Sequence, residues 1–66
     1  MFKTITATYD NKTALSNVFD DLINDGLPRE KIYLDEDVLQ VKVIVPIATE
    51  SGITEILRRH GPSKVV

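Results

Sequence analysis

Cysteine is absent from this chain, which excludes disulfide frameworks, thiol nucleophiles and thiolate metal sites. Because secreted domains of this size usually carry disulfides, we expect a cytoplasmic protein. Long apolar segments are also missing, since the longest strictly apolar run is the three residues Val43–Val45. The first residues lack the charged and apolar regions of a signal peptide, and no segment is expected to enter a membrane.

Tryptophan is absent and only one histidine, His60, is present. The net charge is −2 and the pI is about 5.1, which disfavours binding to nucleic acid. Charge is distributed unevenly along the chain. Residues 10–37 carry eight acids and three bases, and the other residues carry two acids and five bases. The pattern indicates either two solvated faces of opposite sign or electrostatic complementarity between copies.

The chain has 66 residues, which allows one domain, residues 1–66, and leaves little room for a deep enclosed active site. Size scaling predicts a folded surface of about 4,200 Å². The composition, 42% hydrophobic and 27% charged, is typical of a folded globular domain. Because a core this small is only marginally stabilising, dimerisation would help the fold.

Four strands are predicted, over residues 3–9, 31–34, 38–45 and 63–66, from alternation of apolar or β-branched residues with polar ones. One sheet face is expected to be apolar and covered by helices; its residues are Ile5, Ala7, Ile32, Leu34, Leu39, Val41, Val43 and Val45. The opposite face is expected to be open and mostly polar; its residues are Thr4, Thr6, Thr8, Lys31, Tyr33, Gln40, Lys42 and Ile44.

Two amphipathic helices are predicted between these strands. The first follows the capping residues Asp10 and Asn11, runs over about residues 12–25, and ends at Gly26 and Pro28. Its apolar stripe consists of Ala14, Leu15, Val18, Phe19, Leu22 and Ile23. The second begins at a cap formed by Thr49 or Ser51, runs to about His60 and ends at Gly61 and Pro62; its inward residues are Ile53, Ile56 and Leu57.

The resulting order, β-α-β-β-α-β, predicts an α+β ferredoxin-like sandwich with two helices on one face of a four-stranded antiparallel sheet. Several segments also resemble the general stress (heat-induced stress) protein domain of bacteria. They are the helix end Asp25-Gly26-Leu27-Pro28, the valine-rich strand 41–46 and the helix end Leu57-Arg58-Arg59-His60-Gly61. The resemblance implies a cytoplasmic, stress-linked domain, and it carries over no catalytic residue.

Asp20, Asp21 and Asp25 break a local rule, because anions near the C-terminal end of a helix are disfavoured by its dipole. They are either a binding face or a means of solubility and helix termination. Partner contact through this acidic face would be lost on charge reversal at Asp20 and Asp21.

Arg58 and Arg59, with His60, end the second helix. They either complement its dipole and cap its last carbonyls, or bind a phosphate or carboxylate. No nucleophile or orienting acid lies near His60 in the sequence, so catalysis is not expected.

Tyr33 and Lys42 mark the open sheet face, which suits self-association through the face or an edge strand, or simple solvation. Asp35-Glu36-Asp37 is interpreted as a solvated tight turn, because it lacks the spacing of a calcium loop.

No metal, cofactor, nucleic-acid partner or membrane contact is predicted. We expect a binding or regulatory domain acting on a protein or small ligand, with a structural self-association domain or a small enzyme as alternatives.

Overall fold

Each predicted element appears in the computed structural model, which describes all 66 residues. The helices are α1 (Lys12–Asn24) and α2 (Glu50–Arg59). Two short 3₁₀ turns, Arg29–Lys31 and Ile47–Thr49, lead into β2 and α2. The strands are β1 (Phe2–Thr8), β2 (Ile32–Asp35), β3 (Gln40–Pro46) and β4 (Lys64–Val65). The predicted order β-α-β-β-α-β is therefore confirmed, with boundaries displaced by one or two residues.

The four strands form one antiparallel sheet in the order β2-β3-β1-β4. Both central strands, β1 and β3, are seven residues long, whereas the edge strands have four and two residues. Both helices lie on one face of the sheet, and this arrangement is that of the predicted ferredoxin-like fold. The other face of the sheet is left open.

The core lies between the helices and the covered sheet face, and it contains hydrophobic residues only. Its members are Ile5, Ala7, Tyr9, Leu15, Val18, Leu22, Ile32, Val41, Val43, Val45, Ile53, Ile56 and Leu57. No side-chain nitrogen or oxygen is buried without a hydrogen-bond partner. The folded surface is 4193 Å², which agrees with the value predicted from chain length.

The ends of α1 follow the predicted capping chemistry. The Asn11 side chain accepts a hydrogen bond from the backbone N–H of Ala14 at 2.7 Å. Gly26 has φ +100°, its N–H donates to the carbonyl of Ile23, and the N–H of Leu27 donates to Leu22. These two bonds form a Schellman motif, in which the residue at Gly26 must adopt a left-handed conformation.

We expect Gly26→Ala to lower the free energy of unfolding by about 1–2 kcal/mol, because a Cβ disfavours this backbone conformation. No atom lies within 4 Å of the added Cβ, so the loss is conformational. Gly52→Ala is the matched control, because Gly52 lies within α2, also in open space. That change should stabilise the protein by about 0.5–1 kcal/mol in urea unfolding. If both substitutions changed the free energy of unfolding in the same direction, the left-handed conformation assigned to Gly26 would be contradicted.

The predicted cap of α2 is confirmed in position but not in its hydrogen bond. Thr49 lies at the N-cap position but makes no side-chain capping bond, and its hydroxyl donates instead to the Pro46 carbonyl at 3.0 Å. The reason is the 3₁₀ turn before α2, which directs the hydroxyl back toward the end of β3. Ser51 lies inside the helix. Glu50, in the first turn, complements the helix dipole and pairs with Lys3 at 2.7 Å.

The connection between β2 and β3 is longer than predicted. Residues 36–39 form the turn and β3 begins at Gln40, so Val38 lies in the turn and is exposed. Leu39 has φ +56°, and its carbonyl accepts the Tyr9 N–H at 2.8 Å. That bond and the contact of Leu39 with the core hold a conformation that leucine rarely adopts.

Leu34 departs from the expectation of a covered position. It pairs with buried Val41 and therefore lies on the helix-covered side, yet it is 41% exposed. The physical reason is its place on an edge strand, of which only Ile32 is buried. The edge formed by β2 therefore carries an exposed apolar side chain.

Candidate functional site

One candidate site joins the two helices. The Asp21 carboxylate on α1 lies 2.9 Å from His60 Nε2 and 3.5 Å from an Arg59 nitrogen. About a third or less of the Asp21 and His60 side chains is exposed. The cationic end of α2 thereby offsets an anion that the dipole of α1 disfavours. The unfavourable position of the Asp21 anion near the C-terminal end of α1 therefore has a structural explanation. Its partner His60 is 39 positions away in the sequence.

The contact also supplies His60 with the acid that the sequence alone did not place near it. An aspartate bonded to one imidazole nitrogen is the arrangement that orients histidine bases in hydrolases. Here the hydrogen bonding of the ring is with Asp21 alone, and no hydroxyl completes a nucleophile–base pair. No group of three or more His, Asp or Glu side chains is placed to hold a metal ion. The contacts of Asp21 with Arg59 and His60 therefore link α1 to the end of α2.

The other two acids of α1 have different surroundings. Asp20 is exposed and takes part in no ion pair; it lines an open groove of about 440 Å³. The other residues of this groove are Phe19, Ile23, Asn24, Leu27 and Arg29. Asp25 is the C-cap of α1, and its backbone N–H donates to the Asp21 carbonyl. The three acids therefore do not form one binding face.

The arginines at the end of α2 are likewise separated. Arg59 contacts Asp21, whereas Arg58 lies along an open groove of about 530 Å³ on α2. The same groove contains Glu50 and Glu55. An anion placed beside Arg58 would therefore meet two carboxylates. The geometry does not favour the phosphate site suggested by the run Arg58-Arg59-His60.

The second candidate site is the open sheet face. The strand registers place Tyr33, Lys42 and Thr6 in one row across β2, β3 and β1, and Val66, directly after β4, continues the row through its two backbone bonds with Thr6. Tyr33 is 54% exposed at one side of this row, and Lys42 lies near its centre. The next row contains Asp35, Gln40, Thr8 and Lys64, in which the Gln40 amide donates to the Thr8 hydroxyl at 3.3 Å. The predicted members of this face are confirmed on the strands, whereas Lys31 lies in the 3₁₀ turn before β2.

Phe2 is a member of this face that the sequence prediction missed. It belongs to the same alternation as Thr4, Thr6 and Thr8, and it is 62% exposed. The Lys31 ammonium lies 5.5 Å from its ring centroid, within the range of a cation–π contact. Extending the alternation by one residue to the strand start would have identified Phe2.

The open face differs in charge from the rest of the molecule. It carries Lys31, Lys42 and Lys64 against Asp35, a net charge of +2 on a chain whose net charge is −2. The remaining surface therefore carries −4. Apolar contact area lies beside the lysines, from Phe2, Tyr33, Ile44 and Val66. This face combines cations, hydroxyls and exposed rings on a rigid support.

Comparison with known proteins gives no match to a family model, a curated protein or a solved structure. The resemblance to the general stress protein domain therefore stays a prediction. Neither helix is both long enough and apolar enough to cross a membrane.

Proposed function

We propose that this protein is a non-catalytic binding domain of the cytoplasm, and that its open sheet face binds an acidic segment of a protein partner. The observation that carries the proposal is the net charge of +2 on this face, opposite in sign to the charge of the whole chain. Opposite potentials favour encounter with the correct partner and orient it. The lack of cysteine supports the cytoplasm as its location.

The chemistry of the face fits a peptide better than a small molecule or a nucleic acid. The surface is open and has no enclosed cavity, so a ligand must cover an extended area. Three lysines can pair with carboxylates, and the threonine hydroxyls can both donate and accept hydrogen bonds. Phe2 and Tyr33 lie at separate places on the sheet, with the long-chained Lys42 between the strands that carry them. Phe2 is the one aromatic residue on the two central strands, so consecutive bases would find no pair of neighbouring rings on which to stack.

The acidic surface of α1 is a weaker candidate for partner contact. Asp21 is engaged with α2, so only Asp20 and Asp25 remain free of ion pairs. The groove beside Asp20 offers a limited apolar area from Phe19, Ile23 and Leu27. Arg29 lies in the same groove as Asp20, so the groove does not select a partner by the sign of its charge, in contrast to the sheet face.

Lys42→Glu is expected to weaken binding of an acidic peptide about tenfold or more, because it reverses the charge at the centre of the face. The probe is a fluorescent decapeptide of alternating glutamate and leucine, titrated at low ionic strength and followed by anisotropy. Lys12→Glu is the matched control, because it makes the same charge change at an exposed position of α1. That variant should change affinity less than about twofold.

Three outcomes would overturn the proposal. The first is equal weakening by Lys42→Glu and Lys12→Glu, which would indicate a response to net charge only. The second is peptide-induced amide shifts on α1 in place of Thr6, Tyr33 and Lys42. The third is binding of a single-stranded oligonucleotide under conditions in which the peptide does not bind, which would assign the face to nucleic acid.

A further inference from the structure

The backbone of the sheet determines which groups are unpaired at its edge. Thr6 and Val66 exchange both of their backbone hydrogen bonds, at 2.9 and 2.8 Å, so Thr6 directs its N–H and C=O toward β4. Successive residues of a strand direct these groups to opposite sides. The residues of β1 that bond to β3 are therefore Ile5 and Ala7, which pair with Val43 and Val41.

The same alternation continues across β3 to β2. Lys42 directs its backbone groups toward β2 and pairs with Tyr33. Leu34, the next residue, must then direct its N–H and C=O toward the free edge. Ile32 faces the same edge, in agreement with its N–H donating to the Arg29 carbonyl and not to β3. The free edge of β2 thus presents the Leu34 N–H, the Leu34 carbonyl and the Ile32 carbonyl.

A second copy can pair with this edge in a register that the side chains favour. In a symmetric antiparallel pair, opposite residues lie on the same face, so the twofold axis passes beside one central residue. An axis at Tyr33 places Ile32 opposite Leu34 of the other copy, and Lys31 opposite Asp35. Apolar side chains then meet on one face, and two ion pairs flank the two tyrosine rings on the other.

The two neighbouring registers are less favourable. An axis at Leu34 would place Ile32 opposite Glu36, and an axis at Ile32 would place Leu34 opposite Glu30. Each would set a carboxylate opposite an apolar side chain twice in the dimer. The register centred on Tyr33 is the one of the three in which charge and polarity match at every strand residue.

We propose that this protein forms a weak homodimer in which two β2 strands pair antiparallel about Tyr33. The pairing joins two four-stranded sheets into one sheet of eight strands and covers the exposed Leu34 side chain. Both open faces lie on the same side of the joined sheet. Lys31 exchanges its contact with Phe2 for the Asp35 carboxylate of the other copy. We expect a dissociation constant of about 10⁻⁴ M, because the pairing of two four-residue strands buries little surface.

Single cysteines test the register directly, because the natural chain has none. The two copies of residue 33 would be a directly opposed pair with Cα atoms about 4.5–5.5 Å apart, within reach of a disulfide. The two copies of residue 34 would be about 8 Å apart, beyond that reach. Under mild oxidation near millimolar concentration, Tyr33→Cys should form a covalent dimer at least tenfold faster than Leu34→Cys or Lys42→Cys.

A charge exchange tests the ion pairs without cysteine. Lys31→Asp and Asp35→Lys each create two like-charge contacts and should weaken dimerisation about tenfold in sedimentation equilibrium. The double variant Lys31→Asp/Asp35→Lys restores complementary pairs and should recover most of the affinity. Circular dichroism verifies that each variant folds. Lys42→Glu should leave dimerisation within about twofold, so this inference and the proposed peptide binding can fail separately.

Several results would overturn the inference. Amide resonances that do not change up to about millimolar concentration would indicate a monomer. Fastest cross-linking through Lys42→Cys would indicate association by the open sheet face. Fastest cross-linking through Leu34→Cys would indicate another register. If the double variant Lys31→Asp/Asp35→Lys does not recover affinity, Lys31 and Asp35 do not form ion pairs across the interface.

Discussion

Replacing Asp21 with lysine is expected to lower the free energy of unfolding by about 2–3 kcal/mol at neutral pH. The carboxylate lies 2.9 Å from His60 Nε2 and 3.5 Å from an Arg59 nitrogen, in a partly buried position. Lysine would remove both contacts and add a cation beside the basic end of α2, and this loss exceeds the roughly 0.3–1 kcal/mol by which the dipole of α1 favours a cation there. Urea unfolding followed by circular dichroism measures the change.

Asp20→Lys is the matched control for this experiment. Asp20 is the preceding residue of α1, is exposed and forms no ion pair. A lysine there lies near the C-terminal end of the helix, where the dipole favours a cation by about 0.3–1 kcal/mol. The two substitutions should therefore change stability in opposite directions. Equal losses at both positions would contradict a specific role for Asp21.

This difference also decides how the acidic surface of α1 can be tested for partner binding. A variant reversed at both Asp20 and Asp21 would lose stability through the contact between the helices. Loss of a partner in that variant could then arise from partial unfolding alone. Asp20→Lys changes the charge of the surface without breaking the contact with His60, so it is the informative variant.

The elements of the fold were predictable because their signals are local. Alternation over residues 3–9 and the apolar stripe of α1 each identify one face of one element. A glycine such as Gly26 marks a helix end for a reason contained in its own backbone. The turn at residues 36–39 was harder to predict from the sequence, because Leu39 adopts φ +56° through contacts with the core and Tyr9.

The candidate sites were only partly predictable, because they depend on contacts between distant residues. Asp21 and His60 are 39 positions apart, and Tyr9 and Leu57 are 48 apart. The one local signal was the violation at Asp21, an anion near the wrong end of a helix. It indicated a position with an unusual role without naming the partner. The charge of the open face required the strand registers, which bring Lys31, Lys42 and Lys64 to one side.

Tyr9→Phe is expected to lower the free energy of unfolding by about 1–2 kcal/mol at neutral pH. The Tyr9 side chain is almost fully buried, and its hydroxyl donates to the Leu57 carbonyl at 2.7 Å. Leu57 lies in the last turn of α2, where its carbonyl has one other donor, the backbone N–H of His60 at 3.5 Å. Phenylalanine preserves the packing but leaves that buried carbonyl without its hydroxyl donor.

The same hydroxyl makes the stability of the protein fall at alkaline pH. Burial raises the pKa of Tyr9 from 10.0 to about 12 in the folded protein. Between these values the unfolded chain has lost the phenolic proton and the folded protein retains it. Raising the pH therefore favours unfolding. The stability that comes from the protonated Tyr9 phenol is fully present below pH 10, and the free energy of unfolding falls by roughly 2 kcal/mol by pH 12.

Unfolding curves between about pH 8 and 12 separate this contribution from that of the other titrating groups. Tyr9→Phe retains every lysine and the exposed Tyr33, so the difference between wild type and variant isolates Tyr9. Tyr33→Phe is the control and should follow the wild-type dependence. Because wild type is more stable at neutral pH and loses more at high pH, the two curves should cross between about pH 10.7 and 11.6. A constant difference across the whole range would mean that the Tyr9 phenol is not held protonated by burial, and would place its hydroxyl in contact with water and not on the Leu57 carbonyl.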